Sequence, residues 1–242
     1  MLKPLCLAAL LASASSAQAD AALTPTESRW ITAGTPVVRH ALAARLPIDI
    51  VVQPDDEPDA SPIAMGIKDG RCKLVLSLRG NPGAAALDRS VPPGLFDAAA
   101  EAVFAHEIGH CWRWVHGIWK ALPAGFSTAV EDLVDDAPEG VAFAALAAQR
   151  REMNETRREE GYADLVGLAW TRRAHPAQYG AVLEWLERFR DDGPAGAHHD
   201  TTAWLRLAGD PSVFSVAGDL FGEAEALWAA GVRAEATGAG ER

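Results

Sequence analysis

His106-Glu107-Ile108-Gly109-His110 lies inside a proline-free run, Asp97 to Trp119, rich in alanine, valine, phenylalanine, isoleucine and tryptophan. Such a run reads as a long, largely buried helix. On a helix, four residues advance the direction about 40° past a full turn, so both imidazoles leave the same face. That face can hold one divalent metal ion. Glu107, beside the first histidine, can then take a proton from water activated there. The bland alternative is a helix whose histidines are satisfied by hydrogen bonds within a core. Either way these polar groups need partners, because unpaired ones are costly to bury.

Working outward, a helix is expected over Thr26–Arg45 and a strand over Ile48–Gln53, followed by the loop Pro54–Asp59. Ile63–Ile67 and Cys72–Leu78 flank Lys68-Asp69-Gly70, whose Asp-Gly chemistry predicts a hairpin. Gly80–Gly94 reads as loop. Downstream, Gly140–Arg173 is strongly helical, in one or two pieces. Pro176–Arg190 is a further helix with an apolar face of Val182, Leu183, Trp185, Leu186 and Phe189. Asp191–His199 reads as loop, Ser212–Ala230 as a last helix, and residues 234–242 as a flexible tail. The fold class is therefore α+β: a small mixed N-terminal sheet with a hairpin packed on the histidine helix, then a mainly helical half.

Met1–Ala19 has the pattern of a secretory signal peptide: Lys3, an apolar run over Leu5–Ala14, and an Ala17-Gln18-Ala19 cleavage site. The expected mature domain spans residues 20–233, periplasmic or secreted. Every later apolar stretch is broken by charge before it reaches the length of a membrane span, so no integral membrane segment is expected. Cutting after Ala19 leaves Cys72 and Cys111. An oxidising compartment permits a disulfide between them, and two buried free thiols are the alternative. The formal charge of −11 disfavours nucleic acid and anionic membrane surfaces as partners.

A catalytic zinc takes three protein ligands and leaves a place for water, so one zinc per chain needs a third ligand here. His116 follows His110 by six residues, but on a continuing helix it points about 120° away. Glu131 with Asp135, or Asp132 with Asp136, lies in a stretch so acidic that it reads as solvated. Glu160 with Asp164 fits best. They share a helix face with Ala163 and Gly167, where a second helix can come close, and the segment turns apolar after Asp164. In this reading Glu160 binds the metal and Asp164 hydrogen-bonds the far nitrogen of a ligand histidine, fixing its tautomer.

His106-Glu107-Ile108-Gly109-His110, Glu160-Gly161-Tyr162-Ala163-Asp164 and His199-Asp200-Thr201-Thr202 together resemble the gluzincin zinc metallopeptidases. The likeness is greatest to the CAAX-prenyl-protease-like and heat-shock membrane proteases and their soluble periplasmic relatives. It covers roughly residues 97–205. Two departures are Asp200, where that family usually has proline, and Val115, where a histidine is common. The resemblance implies a zincin-like fold whose edge strand aligns a peptide or protein substrate, zinc on His106, His110 and Glu160, and Glu107 as general base. It also points to His199 as the residue that stabilises the oxyanion, with His198, Tyr162 and Tyr179 as alternatives. The strand Lys73–Leu78 is the expected substrate-pairing edge. Two other functions would keep these residues: a non-catalytic binding or chaperone-type protein with a zincin shell, and a zinc hydrolase of non-peptide amides.

Overall fold

The computed structural model describes residues 22–53, 61–126, 141–191 and 197–236. The expected signal peptide, the Pro54–Asp59 loop and the acidic Glu131–Asp136 stretch lie outside the described residues. The fold is α+β, with a small mixed sheet and mostly helix. Its order is α1 (Pro25–Ala43), β1 (Ile48–Val52), β2 (Ile63–Lys68), β3 (Arg71–Leu76), α2 (Pro82–Ser90), α3 (Phe96–Val115), α4 (Val141–Ala174), α5 (Tyr179–Arg190), α6 (Thr202–Leu207) and α7 (Leu220–Ala236).

The first helix starts where its chemistry allows. Thr24 accepts from the Glu27 N–H while Glu27 reaches back to the Thr24 N–H, a capping box with Pro25 at the first helical position. Trp30, Val37 and Ala41 bury its inner face against α3. In the sheet, β3 is central: it runs parallel to β1 and antiparallel to β2. Asp69 (φ 54°) and Gly70 (φ 68°) make the two-residue turn of the β2–β3 hairpin. Cys72, Leu74 and Leu76 point inward, and Cys72 is disulfide-bonded to Cys111 of α3, with 5.8 Å between the Cα atoms.

The central position of β3 corrects the expected substrate edge. Lys73–Leu76 is paired on both sides and cannot accept another strand; the edges are β1 and β2, and of these β2 borders a cavity. Main-chain pairing of Ser77 N–H with the Pro62 carbonyl sets the ladder's phase. Ile63, Met65 and Ile67 therefore turn their N–H and C=O away from β3. Parallel pairing of β1 with β3 is a long-range event that strand patterning does not specify.

Two helices were not foreseen. Residues 82–90, expected as loop, form α2, started by Asn81, whose side chain accepts from the Gly83 and Ala84 N–H groups. Residues 202–207 form the short α6. The Gly140–Arg173 segment is one helix, beginning by Val141. The last helix begins only at Leu220, because Pro211–Val213 folds as a 3₁₀ turn, and it runs to Ala236, into the expected tail.

α3 is the hub, packed on α1 on one side and on α4 on the other, with α7 behind α4. The α3–α4 crossing is tight because small residues line it. A Cβ on Gly167 would lie 2.8 Å from the Ala102 carbonyl oxygen, and one on Gly109 would sit 3.3 Å from Ala163 Cα. The Gly167 contact is with backbone, so nothing larger fits there without separating the two helices, and Gly109 leaves little room for more.

Candidate metal centre

That close crossing brings together the polar residues of both helices. His106 and His110 face each other through their Nε2 atoms, 3.1 Å apart. Glu160 of α4 spans the pair, with one oxygen 3.5 Å from His106 Nε2 and the other 3.4 Å from His110 Nε2. A tetrahedral zinc with donors at about 2.0–2.1 Å has donor–donor edges of roughly 3.3–3.4 Å. The separations found here are of that size, each histidine meeting a different oxygen of Glu160. Imidazole nitrogens and a carboxylate at these separations need a proton or a metal ion between them, so the donor set fits a cation. Among the described residues, His106, His110 and Glu160 are the group that can hold one.

Asp164, one turn after Glu160, orients the cluster. Its Oδ1 accepts from His106 Nδ1 at 2.8 Å, which leaves the His106 Nε2 lone pair aimed at the centre. Its Oδ2 accepts from the Thr201 hydroxyl at 2.6 Å. Arg190, at the end of α5, clamps both oxygens, with Nη2 at 2.6 Å and Nε at 2.9 Å. Burial pushes the Asp164 carboxyl up, but Arg190 and His106 outweigh it and bring it down to about 2. Burial acts in the same sense on Glu160, and the His110 and His199 rings overcome it, so Glu160 also stays ionised. Glu107 is buried beside the histidines, and burial raises its carboxyl above the usual range. His110 differs from His106 in one respect: its Nδ1 is buried without a hydrogen-bond partner.

The cluster opens on a cavity of about 800 Å³, lined also by Ile63, Met65, Leu87, Trp119 and Trp185. His198 and His199 are at this cavity too, and His199 Nδ1 lies 3.1 Å from a Glu160 oxygen, its ring 67% exposed. The other expected residues are elsewhere. His116 caps α3, accepts no role at the cluster, and stacks on Trp112 while its Nδ1 bonds the Trp112 carbonyl. Tyr162 and Tyr179 are buried and donate to the carbonyls of Phe221 and Ala208, so neither is available to an oxyanion in the cavity. Arg190 and Thr201 went unread in the sequence. Thr201 belongs to the His199-Asp200-Thr201-Thr202 segment, whereas nothing local marks Arg190, which ends an otherwise ordinary amphipathic helix.

Compared with known proteins, the chain matches no family model, no curated protein and no solved structure. Among the described residues no helix is long and apolar enough to cross a membrane.

Proposed function

We propose that the chain is a zinc-dependent peptidase of gluzincin type with a zincin-like fold. The observation that carries this reading is the convergence of His106, His110 and Glu160 at zinc-sized separations, facing a cavity with Glu107 beside it. Imidazole and carboxylate donors suit zinc. When bound, zinc supplies Lewis acidity that activates water and polarises a carbonyl. Glu107 takes the proton of the attacking water on its carboxylate and hands it to the departing amine nitrogen. Asp164 and Arg190 hold His106 in the tautomer that presents Nε2. His199, at the cavity, is the candidate donor to the oxyanion.

Peptide is the favoured substrate because β2 borders the cavity as an edge strand. The Met65 N–H and C=O, turned away from β3, can pair with an extended backbone. The Cys72–Cys111 bridge supports an oxidising compartment, periplasmic or extracellular.

The test is hydrolysis of a denatured protein by the zinc-loaded chain, read as new amino termini. Activity is expected, with Glu107→Gln retaining zinc and losing turnover. Equal activity in Glu107→Gln, or zinc bound without any cleavage, would overturn the peptidase reading. The latter result would favour a non-catalytic or non-peptide role.

A further inference from the structure

The chain leaving α3 reverses at once. Gly117 takes φ 68° and Lys120 takes φ 57°, the latter a left-handed value uncommon for a residue with a long side chain. This turn is fastened from within by Arg113, which is fully buried. Its Nη2 donates to the carbonyls of Ile118 at 3.0 Å and Ala121 at 2.7 Å. Its Nε donates to Glu159 at 3.0 Å and its Nη1 to Glu225 at 2.7 Å. Its guanidinium also lies 4.2 Å over the Trp228 ring. Glu159 completes the fastening by accepting from the Lys120 N–H at 2.6 Å. Residues on both sides of position 119 are thus bonded to a buried ion pair.

The residue so presented is Trp119. Leu122 and Phe126, just downstream, are partly buried against the core, whereas Trp119 is 42% exposed. Its ring stands edge-on to His110 with centroids 5.5 Å apart, and it lines the cavity. A large aromatic surface left in water gives up burial free energy that packing would otherwise recover. A half-open indole on a fastened turn, beside a candidate metal-ligating histidine, is what an incoming side chain needs as a platform, since little backbone entropy is lost in ordering it.

We propose that Trp119 is a specificity-determining residue of this site, taking an aromatic side chain of a bound peptide, and that Arg113 is its positioning residue. This rests on the peptidase reading above. The occupant follows from continuity: the indole borders the same cavity as β2 and the metal cluster. A peptide paired along β2 runs past His110, where one of its side chains meets Trp119. Aromatic residues are favoured over aliphatic ones because edge and stacked ring pairs add to simple area burial.

The experiment uses zinc-loaded Glu107→Gln protein, in which binding is separated from cleavage. Two blocked peptides, identical except for phenylalanine or alanine at one central position in a glycine–serine background, are titrated calorimetrically. Zinc content is measured in every variant. The phenylalanine peptide is expected to bind about tenfold more tightly. Adding Trp119→Ala should cut that ratio to roughly threefold or less, while Trp119→Phe should keep most of it. The same ratio in Trp119→Ala as in its parent, or no preference in the parent, overturns the proposal. If neither peptide binds and the Glu107 protein cleaves nothing, the peptidase reading falls and takes this one with it. If peptides bind or are cut regardless of residue 119, only the role of Trp119 falls.

Discussion

Helices α3 and α4 carry two buried polar clusters side by side, and they differ in how their valences are filled. Around Arg113, charge and hydrogen bonds are accounted for within the protein: Glu159, Glu225 and two carbonyls take its donors, and aromatic rings cover its faces. Around His106 and His110, three groups converge on a point that a proton or a metal ion can fill. Two ring nitrogens face each other across 3.1 Å with a carboxylate against both. Glu160 and Asp164 are both held ionised, while Arg190 is the arginine that faces them. A cluster that closes on itself serves the fold, whereas one left short of a positive charge has room for a cation. Glu159 and Glu160 are neighbours in sequence, yet they fall on opposite sides of that distinction.

The largest expected effect is on the closed cluster. Arg113→Met strands Glu159 in the core and should lower unfolding free energy by about 3–5 kcal/mol, measured by denaturant titration of the metal-free protein. His110→Ala in the same assay should cost less, because Glu160 keeps His106, Arg190 and His199 as partners. Comparable losses in the two variants would erase the distinction. Adding zinc should then narrow the gap between the two variants. At a free zinc concentration of 100 times Kd, the wild-type chain should gain about 2.7 kcal/mol, and His110→Ala should gain little. A wild-type melting temperature indifferent to zinc would mean that the triangle is no metal site.

A smaller effect is expected one shell outward. Asp164→Asn leaves all three donors in place but weakens the bond that fixes the His106 tautomer. Zinc affinity should fall about 10–100-fold, read by competition with a chelator. An unchanged affinity would show that Arg190 and Thr201, not His106, are what Asp164 serves.

The open cluster was more legible in the sequence than the closed one. A four-residue spacing on a helix is local geometry, so His106 with His110 and Glu160 with Asp164 could be placed on common faces from the chain alone. The Asp69-Gly70 turn was legible for the same reason. Arg113 and Arg190 were not, because each meets partners 26 or more residues away in sequence, and an arginine bound for a core looks like any other on a helix. The start of α2 was written in Asn81-Pro82, a cap and a first-turn proline, but it was masked by the glycines on either side. The strand order was not written at all: whether β3 lies at the edge or in the centre depends on where β1 docks.

Glu27 offers an intermediate case, and the smallest effect. Its Oε2 accepts from the Thr24 N–H at 2.7 Å and from Arg79 at 2.8 Å, while its buried Oε1 has no partner. Burial alone would raise its carboxyl, but the bonds from Arg79 and Thr24 win and lower it. A carboxyl depressed by folding contributes stability that is present above its unfolded value, about 4.3, and that is lost as pH falls through the lower folded value. Acid titration of stability should therefore lose a contribution of about 1 kcal/mol below pH ~4, the worth of a helix cap. Glu27→Gln should remove that part of the acid dependence and cost a similar amount at neutral pH. If Glu27→Gln instead leaves the acid limb intact, the orphaned Oε1 cancels what Oε2 gains. A half-filled cluster would then be worth no more to the fold than the open one.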